Sequence, residues 1–385
     1  MRRAELGGMG FAPLPQLHLE GYRPTTFDYD PPSSDGADGE VASPRMPGKE
    51  AWIEVFRKSI PEFKRRAASD PRVAGAAELA ERFASDFSAG LDLVLAGDHA
   101  SLFEGEPTVL KLCAMRDECL RQLGFRDCFL DVKTRENDQA LTVLPSVLDE
   151  IDAIADPRAR VLELVRGAFA GNIFDLGAAT SAALYADGGV SFHATRDALK
   201  PRPWCVDDFD ALAERWIPTS SDTDVAGSIP SPWRKCVMFV DNSGADVLLG
   251  MVPLARELAR GGCEVILAAN EVPSINDITA SELAPLVERV AAFDPVVREA
   301  IDGKRLRVVS SGSDLPVIDL SRTSTALAEA AKGADLVVLE GMGRAIETNL
   351  RAKFVCDALK LGMVKHPEVA TCLGGELYDC VCRFG

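Results

Sequence analysis

Apolar positions along this chain fall into two rhythms. From Ala51 they recur near every 3.6 residues: Trp52, Val55, Phe56, Ile60 and Phe63 share a face, which predicts a helix interrupted at Pro61. Val109, Leu112, Cys113 and Leu120 make the next clear face. Pro107 suits its first helical position and Gly124 the residue just past its end. Further helices are expected over 142–156, 158–170 and 175–186, so 51–234 reads as a mainly helical subdomain. Its later connections, Pro201-Arg202-Pro203-Trp204 and Ile229-Pro230-Ser231-Pro232-Trp233, should hold no regular element.

From Lys235 the rhythm changes. Cys236 to Val240 is a short continuous apolar run, as a strand buried on both faces gives. A helix follows, started or kinked by Pro253 and stopped by Gly261-Gly262. Glu264–Ala268, Leu306–Val309, Leu336–Leu339 and Leu361–Val364 read as further strands, and a last one covers Leu377 to Cys382. Helices over 281–292 and 323–331 lie between them. This alternation predicts an α/β domain over 235–385: a doubly wound, mainly parallel sheet with helices on both faces. Residues 1–50 contain seven Pro and seven Gly, which predicts an extended or mobile arm, with Tyr22, Phe27 and Tyr29 as anchors.

Composition narrows the function. The 385 residues carry 42 Lys and Arg against 59 Asp and Glu, a net charge of −17, which is a poor balance for a nucleic-acid binder. No apolar run approaches the ~18 residues of a transmembrane helix. The ten cysteines form no C-x-x-C pair and no zinc spacing with histidine; Cys236 and Cys263 read as core residues. With no secretory signal, reduced thiols and a cytoplasmic protein are expected. His18, His99, His193 and His366 are isolated, and none is assigned to a metal.

Open parallel sheets bind ligands beyond the carboxyl ends of their strands. Here the strands run out into Asp241-Asn242-Ser243-Gly244, Asn270-Glu271 with Asn276-Asp277, Ser310-Ser311-Gly312-Ser313-Asp314, Glu340-Gly341-Met342-Gly343-Arg344 and Lys365-His366. Asp and Asn oxygens suit a hard divalent ion such as Mg²⁺ or Mn²⁺. Arg344 and Lys365 suit phosphate oxygens, and glycine turns let backbone N–H groups approach them. The pattern points to metal-assisted phosphoryl chemistry. Each piece also has a bland reading: Asp241-Asn242-Ser243-Gly244 as a turn, Asp277 as a helix cap, Asp314 as a turn before Pro316, Lys365 as a surface charge. There is no Walker P-loop, no G-x-G-x-x-G after the first strand and no G-x-S-x-G elbow.

The segments Phe239 to Asp246, Pro273 to Thr279 and Glu340 to Arg344 resemble the metal-dependent damage-control phosphatases, as does Gly171-Asn172-Ile173-Phe174-Asp175. The likeness covers roughly residues 50–385. It is narrowest to the phosphopantetheine phosphatase subfamily, also found fused to the C-terminus of some pantothenate kinases, and to its plant stand-alone members. The resemblance implies Asp241, Asn242 and Asp277 as metal ligands, and Glu340, Gly341, Met342, Gly343, Arg344 and Lys365 as substrate-binding residues, with Asn172 and Asp175 lining or supporting the site. It implies Mn²⁺, Co²⁺ or Ni²⁺, with Mg²⁺ as a further option, and a small phosphorylated metabolite as substrate. The substrate it implies is 4′-phosphopantetheine and its oxidised or sulfonated forms. A water nucleophile and direct attack by Asp241 both stay open. A sugar-phosphate phosphatase, a carboxyl methyltransferase and a non-catalytic interaction protein are the alternatives. Because the net charge is −17, recognition of an anion requires a local reversal of sign by the metal, Lys365 and Arg344.

Overall fold

Alternate residues of one short strand show how this molecule is layered. Cys236, Met238 and Val240 enter one hydrophobic core, while Val237 and Phe239 enter another. The sheet is therefore covered on both faces, as the unbroken apolar run requires. The computed structural model describes residues 9–24, 47–173, 192–218 and 228–385. The strands are β1 (Phe11–Ala12), β2 (Val206–Asp207), β3 (Lys235–Phe239), β4 (Glu264–Ala269), β5 (Leu306–Ser310), β6 (Thr323–Ser324), β7 (Leu336–Glu340), β8 (Asp357–Met363) and β9 (Cys380–Phe384). Seven of them form one sheet in the order β2-β9-β8-β7-β3-β4-β5. The run from β8 to β5 is parallel; β9 pairs antiparallel with β8, and β2 lies parallel to β9. The mainly parallel α/β sheet expected from the alternation is present.

Helices α1 (Lys49–Ala68), α2 (Ala76–Ala96) and α3 (Val109–Gln122) supply the core that takes Val237 and Phe239. Helices α4 (Leu130–Asp152) and α5 (Pro157–Ile173) supply the core on the opposite face. The helical region thus flanks the sheet on both sides. Cys236 and Cys263 are core residues, as expected.

Several local expectations are corrected. Pro61 lies inside α1 without ending it, because the buried face of Trp52, Phe56, Ile60 and Phe63 outweighs a proline's cost of about 3 kcal/mol. The cap of α3 is Thr108, whose hydroxyl accepts from the Lys111 N–H at 3.2 Å, so Pro107 precedes the helix. Gly124 does follow its end with φ 93°. The helix expected over 142–156 is the second half of α4, which starts at Leu130. Its first turns were hidden because their inward side chains are polar: Lys133 pairs with Asp127 (2.8 Å) and Glu282 (2.7 Å), and Asn137 accepts from the Gly244 N–H at 2.7 Å. Residues 323 and 324 form β6, and the helix there begins at Thr325. The last strand lies at Cys380–Phe384 instead of Leu377 to Cys382. The expected helix over 175–186 lies outside the described residues.

The described part of the arm is extended and docked. β1 pairs with β6, Leu14 and Leu17 are buried, and the Tyr22 hydroxyl donates to Asn349 and accepts from the Leu320 N–H, both at 2.9 Å. Tyr22 is an anchor as expected; Phe27 and Tyr29 lie outside the described residues.

One buried cation belongs to the sheet itself. Lys360 of β8 donates to the carbonyls of Leu350 (2.9 Å) and Ala352 (2.7 Å). Burial, with the nearby Arg383 charge, pushes its pKa down from 10.5 to about 7. The folded chain therefore binds fewer protons than the unfolded one between those values, so this residue makes stability rise with pH across that window and contributes no slope below it. Urea unfolding of wild type and Lys360→Met from about pH 7 to 10.5 should show a steeper rise for wild type. Parallel pH profiles would contradict this.

Candidate metal- and phosphate-binding centre

The chain reverses its direction of travel across the sheet between β3 and β7. From β3 it proceeds to β4 and β5 on one side; β7 then adds to the other side of β3, followed by β8. The carboxyl ends of β3 and β7 therefore form a topological switch point. β3 runs out through Val240 into Asp241-Asn242-Ser243-Gly244, and β7 ends on Glu340 before Gly341. A π-helix follows each, Asp246–Met251 and Met342–Glu347; such wide turns are rare and concentrate at functional sites. The loop after β4 is drawn in by an isolated bridge between Asn242 and Asp277. Backbone bonds from Ile278 to Asp241 (3.0 Å) and from Ser243 to Asn276 (2.9 Å) hold the two loops together.

Acidic groups converge where these loops meet. Asp241, Asp246 and Glu340 each offer a carboxylate oxygen within 4.8 Å of the others, and all three are buried. Asn172, from the last turn of α5, donates to Asp246 (3.1 Å) and Asp241 (3.5 Å), while its own oxygen accepts from the Met363 N–H (3.1 Å). The Asn242 amide donates to Asp246 (2.7 Å) and Asp241 (3.0 Å). Glu340 accepts from the Asp241 N–H at 3.2 Å. Burial pushes the Asp246 carboxyl above its usual range, against the pull of Lys365 and of hydrogen bonds with Asn242, Asn172 and Glu340.

The guanidinium of Arg344 spans the other side of Asp241, pairing with Asp241 and, at 2.5 Å, with Asp277. It also donates to Asn270 at 3.0 Å, and Asn270 in turn donates to Asp277 at 3.1 Å. Lys365 is 1% exposed, which excludes the surface-charge reading, and its backbone N–H donates to the Met342 sulfur at 3.2 Å. Asp277 does not cap the next helix; Thr279 does so in a capping box with Glu282. Gly341 has φ +100°, and a Cβ there would lie 2.2 Å from Asp241 Oδ2. Only glycine lets β7 turn away so close to that carboxylate. A Cβ at Gly343 would meet the Pro316 carbonyl at 2.5 Å.

The charge count of this buried cluster is uneven. Asp241, Asp246, Asp277 and Glu340 are four carboxylates, against the two cations Arg344 and Lys365. Neighbouring Arg116 is already paired with Asp117 at 2.7 Å. Four buried carboxylates with two cations leave an acidic excess that a divalent cation would offset. The donors are all hard oxygens, and Asn242 Oδ1 is buried without a hydrogen-bond partner, so the residues present fit such an ion.

The structure therefore brings together Asp241, Asn242, Asp277, Glu340, Gly341, Arg344, Lys365 and Asn172 around one centre, while Met342 accepts from the Lys365 N–H and Gly343 packs against Pro316. Asp175 lies outside the described residues. The sequence names Asn270 only as a strand-end residue and Asp246 only as the end of the segment from Phe239, and assigns neither a role. For Asp246 a signal existed: it is the single acid heading the buried apolar turn Val247–Met251.

An acidic oxygen cradle with two buried cations at a switch point is the equipment of a metal-dependent enzyme that handles phosphate. Comparison with known proteins makes the class specific. A family model described as the damage-control phosphatase ARMT1-like domain matches residues 48–381, and the chain belongs to this family of phosphatases. It is 48% identical over 375 residues to the damage-control phosphatase At2g17340 of Arabidopsis thaliana, covering 97% of this chain and 96% of the relative. It is 33% identical over 408 residues to the 4′-phosphopantetheine phosphatase of Mus musculus, covering 92% of this chain but 47% of that longer protein. Among solved structures, a DUF89 family protein from Pyrococcus horikoshii shares the fold, with a TM-score of 0.58 at 19% identity over 86% of this chain and 96% of that one.

The close approach of Gly341 to Asp241 can be tested directly. Gly341→Ala should destabilise the protein by roughly 2 kcal/mol or more and weaken divalent-ion binding. Gly374→Ala, also at positive φ (+67°) but with open space around it, supplies the control for backbone strain alone. Equal thermal shifts and unchanged ion titrations in both variants would refute the proposed overlap.

Proposed function

We propose that this phosphatase hydrolyses 4′-phosphopantetheine and its oxidised or sulfonated forms, with a divalent ion held at the β3–β7 switch point. The observation that carries the metal-dependent reading is the buried acidic excess: four carboxylates against Arg344 and Lys365. The substrate reading is supported by the mouse relative, whose name states that activity.

Asp241, Asn242 and Asp277 would hold the ion, and Asp246 and Glu340 complete the acidic surroundings through their contacts with Asp241 and Asn242. When bound, a Mn²⁺, Co²⁺ or Ni²⁺ ion, or Mg²⁺, supplies polarisation of a phosphoryl oxygen and a lowered pKa for a bound water. Arg344, paired here with Asp241 and Asp277, would supply one positive charge to phosphoryl oxygens. Lys365 supplies a second positive charge from the end of β8. Both cations would stabilise the negative charge of the transferring group. Asn172 holds the Asp241 and Asp246 carboxylates in place from α5.

A phosphate-release screen with Mn²⁺, Co²⁺, Ni²⁺ and Mg²⁺ over phosphopantetheine, phosphopantothenate and hexose phosphates tests this reading. The expected result is fastest release from phosphopantetheine, abolition by a chelator, and a loss on the order of 10²–10³-fold or more in Asp241→Ala. Faster release from hexose phosphates would replace the substrate but keep the phosphatase. Equal release by Asp241→Ala would remove the site itself. Because the cluster stays acidic without an ion, inorganic phosphate should bind tightly only to the metal-loaded protein; tight binding by metal-free protein would overturn the assignment.

A further inference from the structure

Two buried amides in this centre are fully used. Asn172 and Asn270 each donate to carboxylates through the amide nitrogen and accept through the oxygen, from Met363 N and Arg344 respectively. Asn276 is different. It is 0% exposed, yet neither its side-chain nitrogen nor its oxygen makes a hydrogen bond. Ser243 is 2% exposed, and its hydroxyl is likewise without a partner. These two residues stand opposite each other where the loops after β3 and β4 cross: Ser243 N donates to Asn276 O at 2.9 Å, one step beyond the Asn242–Asp277 bridge. A left-handed residue flanks each, Gly244 at φ 78° and Ile275 at φ 45°. For β-branched Ile275 that conformation is costly, and it brings the chain into the crossing at Asn276.

Leaving buried polar groups unpaired costs about 1–3 kcal/mol each, and folded proteins leave few of them. Along the chain they adjoin Asn242 and Asp277, one step from the bridge that joins those two residues. A serine hydroxyl donates one hydrogen and an asparagine amide donates two, and both groups are neutral. They add donors next to an acidic cluster without adding charge. A phosphoryl group has several oxygens to offer such donors.

We propose that Ser243 and Asn276 form a phosphoryl-oxygen subsite beside the metal cluster and position the phosphate of the substrate there. The proposal rests on the phosphatase reading and names two positioning residues that it did not include.

The test uses the metal-loaded full chain, with inorganic phosphate as the probe in calorimetry and as a competitive inhibitor of turnover. Ser243→Ala and Asn276→Ala should each weaken phosphate binding by about 10–100-fold, the range expected for a lost hydrogen bond to a charged group. Asn276→Asp, which keeps the shape and adds a negative charge, should weaken it further. The Mn²⁺ titration midpoint and the thermal midpoint with Mn²⁺ should stay close to wild type in Ser243→Ala, which keeps the proposal testable if Asn276 variants misfold. Wild-type phosphate affinity in Ser243→Ala and in a folded Asn276 variant would mean that ordered water fills the crossing, and the subsite would be withdrawn. Loss of Mn²⁺ binding together with phosphate binding would overturn it in favour of a cation-binding or structural role. A wild type that binds phosphate but releases none from any ester would sink the hydrolase reading alone, with the subsite still judged by direct binding.

Discussion

Four carboxylates buried together at the switch point are the constraint on which this structure depends. Asp241, Asp246, Asp277 and Glu340 come from three strand ends, and each lies within the protein interior. Like charges so close in a low-dielectric setting are strongly unfavourable unless protons, cations or hydrogen bonds compensate them. Arg344, Lys365 and the amides of Asn172, Asn242 and Asn270 provide part of that compensation. The upward push on the Asp246 carboxyl marks where compensation falls short.

The surrounding fold follows from the need to hold this arrangement. Two sheet faces covered by helices exclude water from the strand ends, and the π-helices after β3 and β7 set Asp246 and Arg344 toward Asp241. Gly341 permits the turn that brings the β7 exit against Asp241. Even the arm contributes: Tyr22 binds Asn349, whose amide donates to the Arg344 carbonyl at 2.9 Å. The acidic character of the whole chain then ceases to conflict with an anionic substrate. The long-range field is unfavourable, so the proposed recognition of phosphate would depend on the buried cations Arg344 and Lys365 and on a bound divalent ion.

Much of this was legible from residue order. The apolar runs from Cys236, Glu264 and Leu336 located three interior strands, because strands buried on both faces carry a near-continuous apolar signal, and the shorter run from Leu306 marked the edge strand β5. The residues after them assembled the site list, because ligand chemistry in parallel sheets gathers at strand carboxyl ends. The start of α4 was not legible, since Lys133 and Asn137 point inward and break the apolar stripe. Asp246 was passed over because it sits within a helical turn, where an acid normally faces solvent.

Residue order by itself determined the α/β class, the parallel core strands, the family and most members of the polar cluster, since each follows from local periodicity or short motifs. Tertiary structure alone decided which charges meet. That Arg344 bridges Asp241 and Asp277, that Lys365 is buried, and that Ser243 and Asn276 stand unpaired at a crossing of two loops are facts of long-range packing. No local pattern records them, because the energy of a buried charge is set by partners distant in sequence.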